Sequence, residues 1–151
     1  MGGLADEMLA NNGRIVGIIP RHLMRPELAH RGLTELHVVE SMHDRKRAMA
    51  ERSDAFVILP GGYGTFEEMF EMVTWLQLRL QSKPVGVLNI EGYFDRLLDF
   101  LRHAASEGFI RPEHWDLIIV EHGAELLLDR LELHAAEMAR SHPRRLDPSR
   151  A

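Results

Sequence analysis

The 151-residue sequence predicts an α/β protein of the doubly wound, Rossmann-like type, a parallel sheet with helices on both faces. Three observations predict it. Short β-branched runs alternate along the chain with longer stretches of helical period. The short runs are almost continuously apolar, as strands covered on both faces require. A glycine-rich segment falls directly between a predicted strand and a predicted helix, where open parallel sheets place their ligands.

Along the chain, Leu4 to Asn12 reads as a helix with Gly13 as its stop signal, and Arg14 to Ile19 as a strand ended by Pro20. Leu36 to Val39 is a second strand and Met42 to Arg52 a helix. Asp54 to Leu59 is a third strand, succeeded by the glycine-rich turn and a long helix over Phe66 to Leu80. Val85 to Ile90 is a fourth strand, Tyr93 to Glu107 a helix, Leu117 to Val120 a fifth strand and Ala124 to Met138 a closing helix. Residues 1–138 are expected to form one domain. Residues 139–151, with little to bury, read as a flexible tail.

Composition sets the outer bounds. The formal net charge of -5 argues against a broad nucleic-acid surface, while leaving room for one small anion in a local pocket. With no cysteine, disulfides and thiolate-metal sites are excluded. The nine histidines show no HExxH-like ligand spacing, so no metal and no other cofactor is expected. No apolar run approaches the roughly 20 residues of a membrane span and no signal peptide opens the chain, so the default expectation is a cytoplasmic protein without a membrane partner.

The chemistry concentrates in Pro60-Gly61-Gly62-Tyr63-Gly64-Thr65-Phe66-Glu67-Glu68. Three glycines in four positions permit a sharp turn and a close approach of ligand to the amides. The amides of Gly62, Gly64 and Thr65 would gather at the helix start, where the dipole favours an anion such as phosphate. The segment is neither a Walker A loop nor a GxGxxG dinucleotide loop. A purely structural tight turn is the competing reading. Thr65 and Glu68 also fit a capping box, which would make Glu68 a helix-start residue with no chemistry of its own.

A second group stands at the start of another helix. Met42, Arg45 and Lys46 in Ser41-Met42-His43-Asp44-Arg45-Lys46 are spaced i, i+3 and i+4 and so share one helical face. Two cations beside an apolar residue suit a phosphate joined to a base or sugar, with the arginine gripping oxygens in a fork. The competing reading is a solvated basic patch running on through Arg47. His43 is expected in a packing or surface role.

Met42-His43-Asp44-Arg45-Lys46 succeeded by PGGYGTFEE resembles the paired signatures MHxRK and PGGxGTxxE of the LONELY GUY (LOG) family. The similarity continues through Val16 to Pro20, Ala29 to Leu36, Trp75, Ser82 to Gly86 and Gly108 to Ile110, and covers the chain to about Leu128. The resemblance implies hydrolysis of the N-glycosidic bond of a nucleoside 5′-monophosphate to free base and ribose 5-phosphate. Cytokinin riboside monophosphates are the implied substrates, with AMP as another. Carried over by position, Arg45 and Glu68 would be the catalytic pair. Met42, Lys46, Gly62, Tyr63, Gly64, Thr65 and Glu67 would contact the nucleotide, with Glu27 and Thr74 as further contacts.

The cleavage passes through an oxocarbenium-like sugar, so a carboxylate such as Glu68 can stabilise the developing charge or orient the attacking water. Arg45 would hold phosphate or sugar oxygens. No residue stands out as the acid for the departing base. Met1 to Asp6 resembles the beginning of the helix after the family's second strand, so the chain reads as a fragment or as a start codon called too late. The expected consequences are exposed apolar edges and an incomplete nucleotide pocket.

The helix over Phe66 to Leu80 is apolar on more than one face, which predicts burial both in the core and against a neighbour. The resemblance turns that neighbour into a second copy, a homodimer with its sites near the interface. Three other readings compete: a nucleotide-binding or carrier module without hydrolysis, an inactive fragment of the enzyme, and a pyridoxal-dependent decarboxylase. The last lacks a lysine in an evident Schiff-base setting, Lys46 and Lys83 being the only two.

Overall fold

The structure, a computed structural model, describes residues 2–24 and 32–141. It has the predicted α/β architecture, Rossmann-like, with every described strand pair parallel and helices packed against the strands. The chain divides into two compact units, Met1–Ser53 and Asp54–Ala151, each with its own sheet.

In the first unit, helix α1 (Gly2–Ala10) leads into β1 (Val16–Pro20), which pairs in parallel with β2 (Glu35–Val39). Helix α2 (Met42–Arg52), whose predicted bounds are the observed ones, packs on β1. α1 is stopped by Asn12 rather than by Gly13. Asn12 takes the left-handed conformation at φ 58°, and the Gly13 amide reaches back to the Met8 carbonyl at 2.8 Å. This is a Schellman closure, in which asparagine tolerates the left-handed position because its short side chain bonds locally. Pro20 does not end β1 before itself. It is the last paired residue, opposite Val39, because its extended backbone (φ -69°, ψ 143°) suits a strand end.

In the second unit, β3 (Phe56–Ile58), β4 (Val85–Leu88) and β5 (Ile118–Glu121) form a parallel sheet in that order. β4 is central and buried along its whole length. α3 (Tyr63–Gln77) packs on β3 and β4, and the C-terminal helix α6 (Ala124–Ser141) on β4 and β5. Gly86 lets α6 come close: a β-carbon there would stand 2.8 Å from Leu127 Cδ1 and 3.0 Å from Leu131 Cδ1. Leu88, Ile119, Leu127 and Leu131 form the buried cluster on that side. Val85 and Val87 alternate to the opposite face, as the period of a strand requires. Between β4 and β5 the chain forms α4 (Asp95–Ser106) and a short α5 (Pro112–Trp115).

Several predicted boundaries shift for local reasons. β4 stops at Leu88: the Asn89 amide still donates to the Glu121 carbonyl at 2.8 Å, but at ψ 65° the backbone leaves the strand and the Asn89 side chain serves the next turn, accepting from the Phe94 amide at 2.8 Å. α4 therefore begins at Asp95, after a 3-10 turn over Ile90–Gly92, rather than at Tyr93. α3 begins at Tyr63 rather than Phe66, and ends at Gln77 rather than Leu80. Its end is another Schellman closure, with Arg79 at φ 58° and the Leu80 amide bonded to the Trp75 carbonyl at 2.8 Å. At the end of α4, Gly108 takes the same role at φ 82°. α6 continues three residues beyond its predicted end at Met138. No described helix is long and apolar enough to cross a membrane.

Candidate functional site

The N-termini of α2 and α3 both lie at strand C-terminal ends, but they are finished differently. α2 is closed by its own residues. Ser41, at the N-cap, accepts from the Asp44 amide at 3.0 Å, and its hydroxyl donates to Asp44 Oδ2 at 2.6 Å. The bond from Ser41 holds the Asp44 carboxyl below the ordinary aspartate range. The reciprocal Ser-x-x-acid cap is thus found at Ser41 and Asp44.

α3 has no such closure. Its N-cap is Gly62, no side chain caps it, and its first turn contains no acidic residue. The first intrahelical bond runs from the Phe66 amide to the Gly62 carbonyl at 3.1 Å. By helix geometry the amides of Tyr63, Gly64 and Thr65 therefore have no acceptor within α3. Thr65 and Glu68 do not form the expected capping box. With Gly62 at the N-cap, Thr65 is the third helical residue and Glu68 stands in the second turn, beyond the reach of a capping acid. Glu68 shares a helical face with Gly64, four residues earlier, and its side chain leans toward the N-terminus as helical side chains do.

The three glycines of the loop have different reasons. None of Gly61, Gly62 and Gly64 has a positive φ, so the sharp-turn explanation does not apply. A β-carbon at Gly61 would collide with the Thr65 hydroxyl, which folds back over it. At Gly62 and Gly64 a β-carbon would meet no protein atom within 4 Å. Packing does not demand glycine at these two positions, and a glycine inside a helix costs about 1 kcal/mol relative to alanine. What their missing side chains leave is open space beside the unbonded amides. The loop is also tethered from the turn that follows β4: the Tyr93 hydroxyl donates to the Gly61 carbonyl at 2.6 Å. Tyr93 was not among the expected site residues, because its bond depends on how β3 and β4 pair and not on a local pattern.

The α2 group is arranged as its spacing requires. Arg45 is half-buried, donates from Nε to the Ile18 carbonyl at 3.3 Å, and has Nη1 3.7 Å from Met42 Sδ. Lys46 is half-buried as well, while Met42 is exposed. Arg47 turns elsewhere, donating to His43 Nε2 at 3.0 Å on the exposed surface. The two candidate cations therefore differ from the solvated patch that Arg47 and His43 do form.

The remaining expected residues divide. Tyr63 is almost fully exposed at 94%, and Glu67 is exposed, both on the first two turns of α3. Thr74 is not with them. It lies eleven residues beyond Tyr63, roughly 16 Å along the helix axis. There it lines a groove of about 420 Å³ with Phe70, Val73, Leu98, Trp115 and Ile118. Glu27 lies outside the described residues. A second hollow, of about 470 Å³, is lined by Arg14, Val16 and Arg52 at the N-terminal edge of the β1–β2 sheet, away from Ser41. Among the described residues no three metal-binding side chains come together.

Residues 1–131 match the family model described as "Possible lysine decarboxylase". The chain is 46% identical over 131 residues to the probable cytokinin riboside 5'-monophosphate phosphoribohydrolase LOGL3 of Oryza sativa subsp. japonica, covering 86% of this chain and 62% of that protein. It is 46% identical over 134 residues to the cytokinin riboside 5'-monophosphate phosphoribohydrolase LOG3 of Arabidopsis thaliana, covering 88% and 62%. To the cytokinin riboside 5'-monophosphate phosphoribohydrolase of Rhodococcoides fascians it is 52% identical over 121 residues, covering 80% and 61%. The chain thus spans about three fifths of the length of these relatives.

Proposed function

The chain belongs to the LOG family, and from that membership we propose that it hydrolyses the N-glycosidic bond of nucleoside 5′-monophosphates, cytokinin riboside monophosphates and AMP among them. The observation that carries the proposal is the start of α3, a helix N-terminus with no capping side chain, no acid in its first turn and two glycines facing open space. An anion can approach those amides as no side chain-bearing residue would allow, and the helix dipole favours it. The substrate's 5′-phosphate is the anion assigned to them, with Gly62, Tyr63, Gly64 and Thr65 as the contacts.

In the reaction the bond between the anomeric carbon and the base nitrogen breaks, and a water oxygen takes its place on that carbon. The base leaves with the bonding electron pair and gains a proton. Glu68 is assigned to the positive charge that builds on the sugar and to the attacking water. Arg45, aimed in part by the Ile18 carbonyl, is assigned to phosphate or sugar oxygens, with Lys46 and Met42 beside it. Glu67 and Glu27 are further substrate contacts by family position. Both compact units belong, on this reading, to one nucleotide-hydrolase domain over residues 1–138.

The partner is a second copy of the chain. Three α3 residues, Met69, Met72 and Leu76, are buried, while Phe70 is 39% exposed and lines the groove with Val73 and Thr74. An apolar groove flanking a helix already buried on its other side supports a dimer through this helix. It would also give Thr74, distant from the amides of its own helix, a neighbouring copy's substrate to contact. Phe70→Glu should then convert a dimer to a monomer in sedimentation velocity.

The description attached to the family model names a lysine decarboxylase, but the lysines do not suit pyridoxal phosphate. Lys83 precedes β4, at the edge of the sheet opposite the strand C-termini. Lys46 shares the face of α2 with Arg45, where contact with an anion is the simpler use. An absorbance scan for bound pyridoxal separates the two readings.

The test is release of free base from AMP and from isopentenyladenosine monophosphate, read by chromatography, for this chain and for a version extended to its relatives' length. Base released by the extended protein and abolished by Glu68→Gln supports the proposal. A folded extended protein that returns the nucleotide intact overturns it in favour of a binding module.

A further inference from the structure

The geometry points to Tyr93 as a positioning residue for the anion loop, acting through the peptide between Gly61 and Gly62. This inference rests on the reading of α3's N-terminus as the phosphate site. Tyr93 comes directly after a 3-10 turn whose backbone is left-handed at Glu91 (φ 50°) and Gly92 (φ 71°). That turn is held from beneath by Asn89, 1% exposed, which accepts from the Phe94 amide at 2.8 Å and donates to Asp95 Oδ1 at 2.7 Å. The backbone carbonyl of Asn89 in turn accepts from His122 Nδ1 at 2.9 Å, at the end of the neighbouring strand.

The Tyr93 ring is half exposed and rests on one packed neighbour. It meets Phe94 edge to face, with centroids 4.9 Å apart. Phe94 is itself 1% exposed and meets Phe66 of α3 at 6.4 Å. The phenol oxygen is thus delivered from a rigid base to the Gly61 carbonyl, 2.6 Å away. A peptide unit is planar and trans, so its carbonyl and its amide point in opposite directions. Holding the Gly61 carbonyl toward Tyr93 therefore aims the Gly62 amide away from it. Gly62 is the N-cap of α3, and its lack of a side chain makes that peptide the least restrained in the loop. Without the phenol bond, the Gly61 carbonyl loses its anchor and the Gly62 amide can turn with it.

Tyr93→Phe keeps the ring packing and removes only the bond. A hydrogen bond of ordinary strength predicts a three- to tenfold rise in KM for AMP. Because the phosphate contact is the same in ground and transition states, kcat should be unchanged. Adenosine, which has no phosphate, should be bound equally by both proteins, and the melting temperature should fall only slightly, by no more than one hydrogen bond's worth. The Gly62 amide resonance should move on titration with inorganic phosphate in the parent and move less in the variant. An unchanged KM for AMP, or an equal loss toward AMP and adenosine, overturns the positioning role while leaving the phosphate reading standing. A parent protein that binds AMP no better than adenosine overturns both. If the variant melts lower than one lost bond allows, titration at a temperature where both proteins are folded decides, and an equal shift of the Gly62 amide with inorganic phosphate overturns the role.

Discussion

The Thr65 hydroxyl folds back over Gly61, four residues earlier, and occupies the place where a β-carbon would stand. This contact closes the glycine-rich turn from the helix side, as Tyr93 closes it from the turn after β4. Gly61→Ala is therefore expected to push Thr65 aside at a cost of about 1–3 kcal/mol. Thermal melts of Gly61→Ala and of the double variant Gly61→Ala/Thr65→Ala check it: the second change should recover much of the lost stability.

Gly64→Ala should do the reverse. No protein atom opposes the added carbon, and alanine favours the helix by about 1 kcal/mol. The variant should melt higher than the parent and bind AMP more weakly, because the methyl group enters the space assigned to phosphate. Calorimetric titration beside a thermal melt reads both effects. A variant that is stabilised with its affinity intact would show that the open space holds no ligand.

Glu68→Gln removes a charge and little volume. If Glu68 stabilises the sugar cation or orients water, kcat for base release should fall by roughly 10²–10⁴-fold. Binding of AMP should change far less, so steady-state kinetics on the extended protein would show the loss in kcat rather than in KM.

The cap of α2 predicts a dependence on pH. Asp44 is held below its ordinary range, first by the bond from Ser41, and Glu40 likewise by its bond with Arg21 at 2.8 Å. A carboxylate depressed in the folded state contributes stability that is fully present above its unfolded pKa. That contribution is lost as pH falls through the lower, folded value. Stability should therefore decline below the ordinary carboxylate range. Ser41→Ala should flatten part of that decline and, through the lost cap, lower stability at neutral pH by about 1 kcal/mol. Chemical denaturation across a pH series checks both.

Arg79 occupies a left-handed position that glycine fills at the corresponding end of α4. Arg79→Gly should raise stability by up to about 1 kcal/mol, relief of the β-carbon strain outweighing the entropy of the unfolded glycine. The midpoint of urea unfolding measures it.

The strand and helix order was legible because apolar runs and helical period are local properties. α2 came out at its observed bounds, since Ser41 supplies a strong cap and Arg52 ends the period. The ends of α1 and α3 were not legible. Gly13 and Leu80 were reasonable stops by composition, but Asn12 and Arg79 took the left-handed positions. Which residue turns left-handed depends on the path the chain takes after leaving the helix: asparagine only tolerates the position, and arginine gives no local sign of it.

For the site, the sequence by itself determined the inventory: the loop from Pro60 to Glu68, the shared face of Met42, Arg45 and Lys46, and the family to which they belong. Spacing along a helix decides which side chains share a face, and no tertiary contact is needed to read it. Only the tertiary structure decided where α3 begins, and with that whether Glu68 was a cap or a side chain of the second turn. It alone distinguished the glycine that Thr65 requires from the two that face open space, and it alone brought Tyr93 to the carbonyl of Gly61, 32 residues away. A hydrogen bond across neighbouring strand ends depends on how those strands pair, and pairing is a property of the folded sheet rather than of either segment.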